Sequence, residues 1–251
     1  MIPGIDTDVA KSASARLQKT VLQPGAFRYS AVELLAALAL LLLSAPFIED
    51  LPDGDLVEAI LMTAVMVSAV LAVGGRRRSL LIALMLVAPS VGGKWLNHFW
   101  PGLFWSLVYL FAALAFFIFV VGSLIRFILR APRVDTNVLC AGLSGYLLLA
   151  LVWVPAYLML ARLNPAAFTL PSAPGAAATM DGFTATYFSF ITLCTVGYGD
   201  VTPVSRGARM LAVMEAIVGL FFIAVLISRL VAVYSATQPP ADTDADRPTE
   251  K

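Results

Sequence analysis

Long apolar runs alternate along this chain with short breaks rich in charge, glycine or proline. An apolar run of about twenty residues is what a helix needs to cross a bilayer core. On that criterion the pattern predicts six spans, at 31–47, 56–73, 79–91, 103–129, 137–163 and 208–234. The third is the weak one, because Pro89-Ser90-Val91-Gly92-Gly93 interrupts it. The aromatic cluster behind it (Trp95, Phe99, Trp100, Phe104, Trp105) has the composition of a membrane–water interface belt. A further apolar stretch, 183–194, has only twelve residues. At ~1.5 Å per residue that is ~18 Å, about half the bilayer core, so it predicts a helix that enters the membrane and turns back. The fold class expected is an all-α membrane protein with six transmembrane helices and one re-entrant helix between the fifth and sixth.

Of the 251 residues, 60% are hydrophobic and 13% charged, too apolar a balance for a soluble protein. The net charge of +1 gives no sign of a nucleic-acid partner, and none is expected, because the basic residues are placed by topology rather than gathered on one face. Thirteen of the 17 Lys and Arg residues fall in four alternate segments: residues 1–29, 74–78, 126–133 and the end of the chain from Arg229. The intervening segments hold only Lys94, Arg162, Arg206 and Arg209. The positive-inside rule then places both termini in the cytoplasm. Residues 1–29 read as a solvated leader with a short helix at 8–23. The first apolar run ends in Leu-Ser-Ala-Pro, which resembles a signal-peptide cleavage site, but its length predicts an uncleaved span. Cys140 and Cys194 sit in apolar or loop-adjacent sequence and suggest neither a disulfide framework nor a metal site.

Directly after the short helix comes Thr195-Val196-Gly197-Tyr198-Gly199-Asp200. A dehydrated cation needs rings of oxygen in place of its water. Backbone carbonyls supply them only if successive C=O groups face one axis. Most side chains resist such dihedrals, and Gly197 and Gly199 reach them without a Cβ penalty. The six residues resemble the filter signature of the tetrameric potassium channels without a mismatch. The order of span, turret (164–179), short helix, filter and span resembles their pore domain, in the small bacterial type preceded by four extra spans.

The resemblance implies passive K⁺ conduction through a homotetramer in a bacterial plasma membrane, with K⁺ and membrane lipid as partners. No organic cofactor or catalysis is implied. It divides the chain into the leader (1–29), a four-span region (30–131), the pore domain (132–235) and a polar tail (236–251). K⁺ is expected at Thr195, Val196, Gly197 and Tyr198, with Gly199 completing the filter. Asp200, Tyr187, Thr192 and Glu215 are expected to brace it, Ser189 or Thr192 being the partner sought for Glu215. Gly219 matches the family's gating-hinge glycine, with packing as the competing reading. Leu220, Ile223 and Ile227 are expected along the inner pore.

Many relatives carry two tryptophans where this chain has Tyr187 and Phe188. Tyr187 is expected to donate to Asp200, and Phe188 to pack on Tyr198. A carboxylate that draws cations into the pore is the alternative for Glu215. The fourth span has no Lys or Arg before Arg126, so the first four spans are not expected to sense voltage. A weakly selective cation channel is one alternative function. Another is a Gly-x-Gly-Asp intramembrane protease using Asp200, although its Tyr-Asp partner motif is missing.

Overall fold

The computed structural model describes residues 31–48, 54–73, 77–100, 102–133, 135–171 and 179–237. The expected leader with its helix at 8–23, residues 172–178 of the turret and the tail beyond 237 lie outside the described residues. Among the described residues are seven α-helices: α1 (Ala31–Ile48), α2 (Gly54–Val73), α3 (Arg77–Phe99), α4 (Leu103–Arg130), α5 (Thr136–Leu163), α6 (Gly182–Leu193) and α7 (Arg206–Thr237). Four of them, α3, α4, α5 and α7, are long and apolar enough to cross a membrane. The apolar parts of α1 and α2 are shorter, Ala31–Ser44 and Ala59–Ala72. After α5 a single 3₁₀ turn (Pro165–Ala167) leads into β1 (Phe168–Thr169), which pairs antiparallel with β2 (Thr202–Pro203) behind the loop that follows α6. That ladder ties the start of the turret to the exit of the candidate filter.

Helix α5 is the hub of the fold, packed against α1, α4, α6 and α7. Within the chain 67% of its apolar window is buried, against 17% for α7. The chain on its own therefore leaves most of α7 without a neighbour. Where α5 and α7 meet, small residues set the distance. A Cβ on Gly142 would lie 3.0 Å from Leu226 Cδ1, and one on Gly145 would lie 3.1 Å from Phe222 Cζ. Asp135 caps α5 by accepting from the Val138 amide at 2.9 Å. At the far end of α7, Arg229 donates to the carbonyl of Ala131, just past the end of α4, at 2.9 Å.

The expected break in the third span is not there: α3 runs unbroken through Pro89, Gly92 and Gly93. A proline inside a helix removes one amide donor, and a long helix packed on its neighbour tolerates that loss. The Ser90 hydroxyl donates to the Leu86 carbonyl at 2.8 Å in the same turn. Gly93 is a notch rather than a break, since a Cβ there would stand 2.7 Å from Tyr109 Cβ of α4. Trp95 and Phe99 consequently lie on α3 itself.

Candidate functional site

Helix α6 is as short as its apolar run implies, and Asp181 starts it by accepting from the Thr184 amide at 2.7 Å. At its other end the chain folds back on the last turn. The amides of Cys194 and Thr195 donate to the carbonyls of Phe190 and Thr192, each at 3.0 Å. Those of Val196 and Gly197 both donate to the Ile191 carbonyl, at 2.8 and 3.1 Å. In a planar trans peptide the N–H and the preceding C=O point opposite ways. Two successive amides aimed at one acceptor therefore send the carbonyls of Thr195 and Val196 to the same side, away from α6. An ordinary strand would alternate them.

The dihedrals account for this. Thr195 (φ 58), Gly197 (φ 54) and Gly199 (φ 83) are left-handed at every second position. For a β-branched residue such as Thr195 this is a true outlier, held in place by the amide bonds around it. Every residue from Cys194 to Asp200 is exposed in the single chain, including Tyr198 at 73%.

Behind the loop, the Tyr187 hydroxyl donates to Asp200 Oδ2 at 2.7 Å, and the Val201 amide donates to Oδ1 at 3.0 Å. The Tyr187 bond holds the Asp200 carboxyl below its usual range, so Asp200 keeps its charge and its acceptor role through neutral and mildly acidic pH. Phe188 does not do what the sequence suggested. Its ring packs on Tyr157 (centroids 4.9 Å apart) and Phe168 (5.7 Å), not on Tyr198. Adjacent positions on a helix differ by about 100°, so with Tyr187 turned to the loop Phe188 must turn toward α5 and β1.

Glu215 is fully buried, as are Tyr157 and Ser189. The Tyr157 hydroxyl of α5 donates to Glu215 Oε2 at 2.5 Å, and the Ser189 hydroxyl of α6 bonds to Oε1. Ser189 also lies 2.7 Å from the Ala150 carbonyl of α5, so its single proton serves two acceptors. The partner in α6 is Ser189. Thr192 contributes its carbonyl to the Thr195 amide instead. Glu215 of α7 thus joins three elements at one buried point. Tyr157 was not foreseen, because an aromatic residue in an apolar helix looks like packing and lies 58 positions from its partner.

Further along α7, Gly219 is buried against the end of α6. A Cβ there would lie 2.7 Å from Leu193 Cδ1 and 3.0 Å from the Leu193 carbonyl. The helix continues through this position without a break, so close approach is the constraint on the glycine in this conformation. Leu220, Ile223 and Ile227 follow at helical spacing and are exposed in the single chain, at 58%, 37% and 55%.

The comparisons with known proteins fall on this region. The "Ion channel" family model matches residues 144–236. A stretch of 48 residues is 40% identical to two pore potassium channel c of Oryza sativa subsp. japonica, covering 19% of this chain and 10% of that protein. Two-pore potassium channel 3 of Arabidopsis thaliana is 44% identical over 46 residues, 18% of this chain and 11% of its own. Protein LctB of Bacillus caldotenax is 51% identical over 45 residues, 18% and 33%. These alignments span between a tenth and a third of the relatives' lengths. No solved structure matches the chain. The match of residues 144–236 to the ion channel family model contains the Thr195–Asp200 loop, and the proteins similar to this chain over short stretches include potassium channels.

Proposed function

We propose that the chain is one subunit of a homotetrameric, K⁺-selective channel that conducts passively across a plasma membrane. The observation that carries this reading is the Thr195–Gly199 backbone, in which left-handed residues at every second position turn neighbouring carbonyls the same way. Four such loops around an axis would replace the water of a K⁺ ion with rings of oxygen at Thr195, Val196, Gly197 and Tyr198. The exposure of the loop supports assembly, because irregular backbone at membrane depth must be covered by protein or face a water-filled space. The bare face of α7 gives further support, with Leu220, Ile223 and Ile227 lining the inner pore. Gly219 bends α7 in the open state, and Asp200, Tyr187, Thr192 and Glu215 brace the filter. The topology has six spans, α6 as the re-entrant pore helix and both termini in the cytoplasm, with the distribution of Lys and Arg as its support. The carboxylates of Asp200 and Glu215 are bonded to other groups rather than to each other, which speaks against a protease dyad.

The test is the reversal potential of purified protein in planar bilayers under opposed K⁺ and Na⁺ gradients. A potential close to the K⁺ equilibrium value is expected. A value midway between the two ions would leave a weakly selective cation channel.

Voltage should have little hold on this pore. Each charge crossing the field couples by about 2.3 kcal/mol per 100 mV, and steep gating needs three or four per subunit. Helix α4 carries no Lys or Arg before Arg126; Arg126 and Arg130 are exposed within its last five residues, and Arg133 is exposed beyond its end. Open probability is expected to change only shallowly with voltage, and neutralising the three arginines should alter expression more than gating. A steep curve that flattens in the triple variant would place them inside the field.

A further inference from the structure

Three oxygen–oxygen contacts meet around Glu215, and the hydroxyls there supply protons for only two of them. The Tyr157 hydroxyl lies 2.5 Å from Glu215 Oε2, the Ser189 hydroxyl is bonded to Oε1, and the same Ser189 oxygen lies 2.7 Å from the Ala150 carbonyl. Two oxygens this close attract only when a hydrogen sits between them. A carbonyl has none to give, and each hydroxyl has one. With Glu215 ionised, one of the two Ser189 contacts would face lone pair against lone pair in a site with no exposed surface. Sharing the Ser189 hydrogen does not cure the shortfall. A shared hydrogen lies off both lines, and neither contact is longer than an ordinary hydrogen bond.

No cation offsets a charge at this point. Among the described residues, the bonding partners of Glu215 are the two hydroxyls. The arginines of the surrounding helices are engaged elsewhere or exposed. Arg162 of α5 donates to the Ser106 hydroxyl at 3.1 Å. On α7, Arg206 is exposed, Arg209 donates to the Pro203 carbonyl at 3.3 Å, and Arg229 to that of Ala131. Helix α6 contains no Lys, Arg or His, and its Tyr187 is turned to Asp200. Tyr146 of α5 donates to the Leu193 carbonyl at 3.5 Å. A buried carboxylate without a countercharge is costly, whereas a carboxylic acid with its bonds made is not.

We propose that Glu215 holds the missing proton on Oε1 and sits at this junction as a neutral carboxylic acid. One arrangement then fills all three contacts. Tyr157 donates to Oε2, the Oε1–H donates to Ser189, and Ser189 donates to the Ala150 carbonyl. A proton on Oε2 would instead strand the Tyr157 hydrogen and leave Ser189 short again. The bonds therefore run one way from α7 through α6 to α5, and Glu215 is a positioning residue that acts on α6 through Ser189. The assignment deepens the bracing role given to Glu215 above, but it rests on the contacts and not on K⁺ conduction.

The test is infrared spectroscopy of the full-length protein in lipid vesicles at neutral pH. A carboxylic acid shows a C=O stretch above the amide bands, and an ionised carboxylate does not. The parent is expected to show that stretch and Glu215→Gln to lose it. Tyr157→Phe removes the hydrogen bond to the C=O oxygen, so it should move the stretch to higher frequency, which a packing role alone would not do. Helix content by circular dichroism checks that each variant is folded. Carboxyl-¹³C glutamate in the parent should lower the stretch, and it carries the test if a variant is not folded. A parent spectrum without the stretch, a stretch that survives in folded Glu215→Gln, or one that ignores the label would overturn the assignment. So would a stretch left unmoved in folded Tyr157→Phe. None of these measurements uses ion flux, so a failed acid assignment leaves the channel reading standing, and a protein that does not conduct can still show the acid.

Discussion

Gly197→Ala is expected to abolish K⁺-selective conduction while leaving the protein inserted and helical. Gly197 sits at φ 54, and a Cβ built there has nothing within 4 Å in the single chain. The variant would therefore act through the dihedral rather than through a clash. A left-handed conformation disfavours an L-residue with a side chain by roughly 1–2 kcal/mol, so four alanines around the axis of the proposed tetramer would carry about 4–8 kcal/mol of strain. That strain is relieved if the peptide rotates, which turns one carbonyl in each chain away from the axis and removes an oxygen ring from the ion path. The comparison is a K⁺ flux assay on vesicles containing either protein at equal density, with reversal potentials wherever current remains. A variant that keeps the parent's K⁺ over Na⁺ preference would count decisively against the filter assignment.

The sequence reading worked where one physical rule dominates. A bilayer fixes the length of the helices that cross it, so the expected spans at 103–129 and 137–163 end within a residue or so of α4 and α5. The half-length helix was legible for the same reason. Pro89 shows the limit of this kind of reading, because local propensity argued for a break where packing against Tyr109 sustains a helix. Within the site, the left-handed backbone at Gly197 and Gly199 was legible because those glycines mark backbone demands that stand in the sequence itself. The Tyr187 bond to Asp200 was legible too, since a hydroxyl at that position has one acceptor near the loop.

What stayed hidden depends on contacts between distant helices. Nothing in an apolar span separates a tyrosine that packs from one, such as Tyr157, that donates to a buried carboxylate. The two-residue ladder of β1 and β2 is too short to leave an alternation pattern. Asp181 could have been found: an aspartate immediately before a glycine and an apolar helical run is a capping signal.

Glu215→Ala is expected to weaken the assembly strongly, and Glu215→Gln only slightly. In the parent, Tyr157 and Ser189 converge on the two oxygens of a residue with no exposed surface. Alanine leaves Ser189 with its second acceptor, the Ala150 carbonyl at 2.7 Å, but leaves the buried Tyr157 hydroxyl without the carboxylate. An orphaned buried donor costs about 1–3 kcal/mol, and the hole left by the carboxylate adds to that. In the proposed tetramer four copies would make the sum roughly 4–12 kcal/mol. Glutamine keeps an oxygen for Tyr157 and offers an amide to Ser189, so the junction of α5, α6 and α7 survives without the charge. The readout is the temperature at which the purified assembly dissociates, taken in K⁺ and in Na⁺. Bound K⁺ should raise it by binding only the assembled filter, and alanine should lower it in both salts. Single-channel conductance separates this from a carboxylate that concentrates cations in the pore. If Glu215 acted by charge, glutamine would reduce conductance as much as alanine while dissociation temperatures stayed at the parent's value. That outcome would remove Glu215 from the bracing of the filter and place it in the ion path.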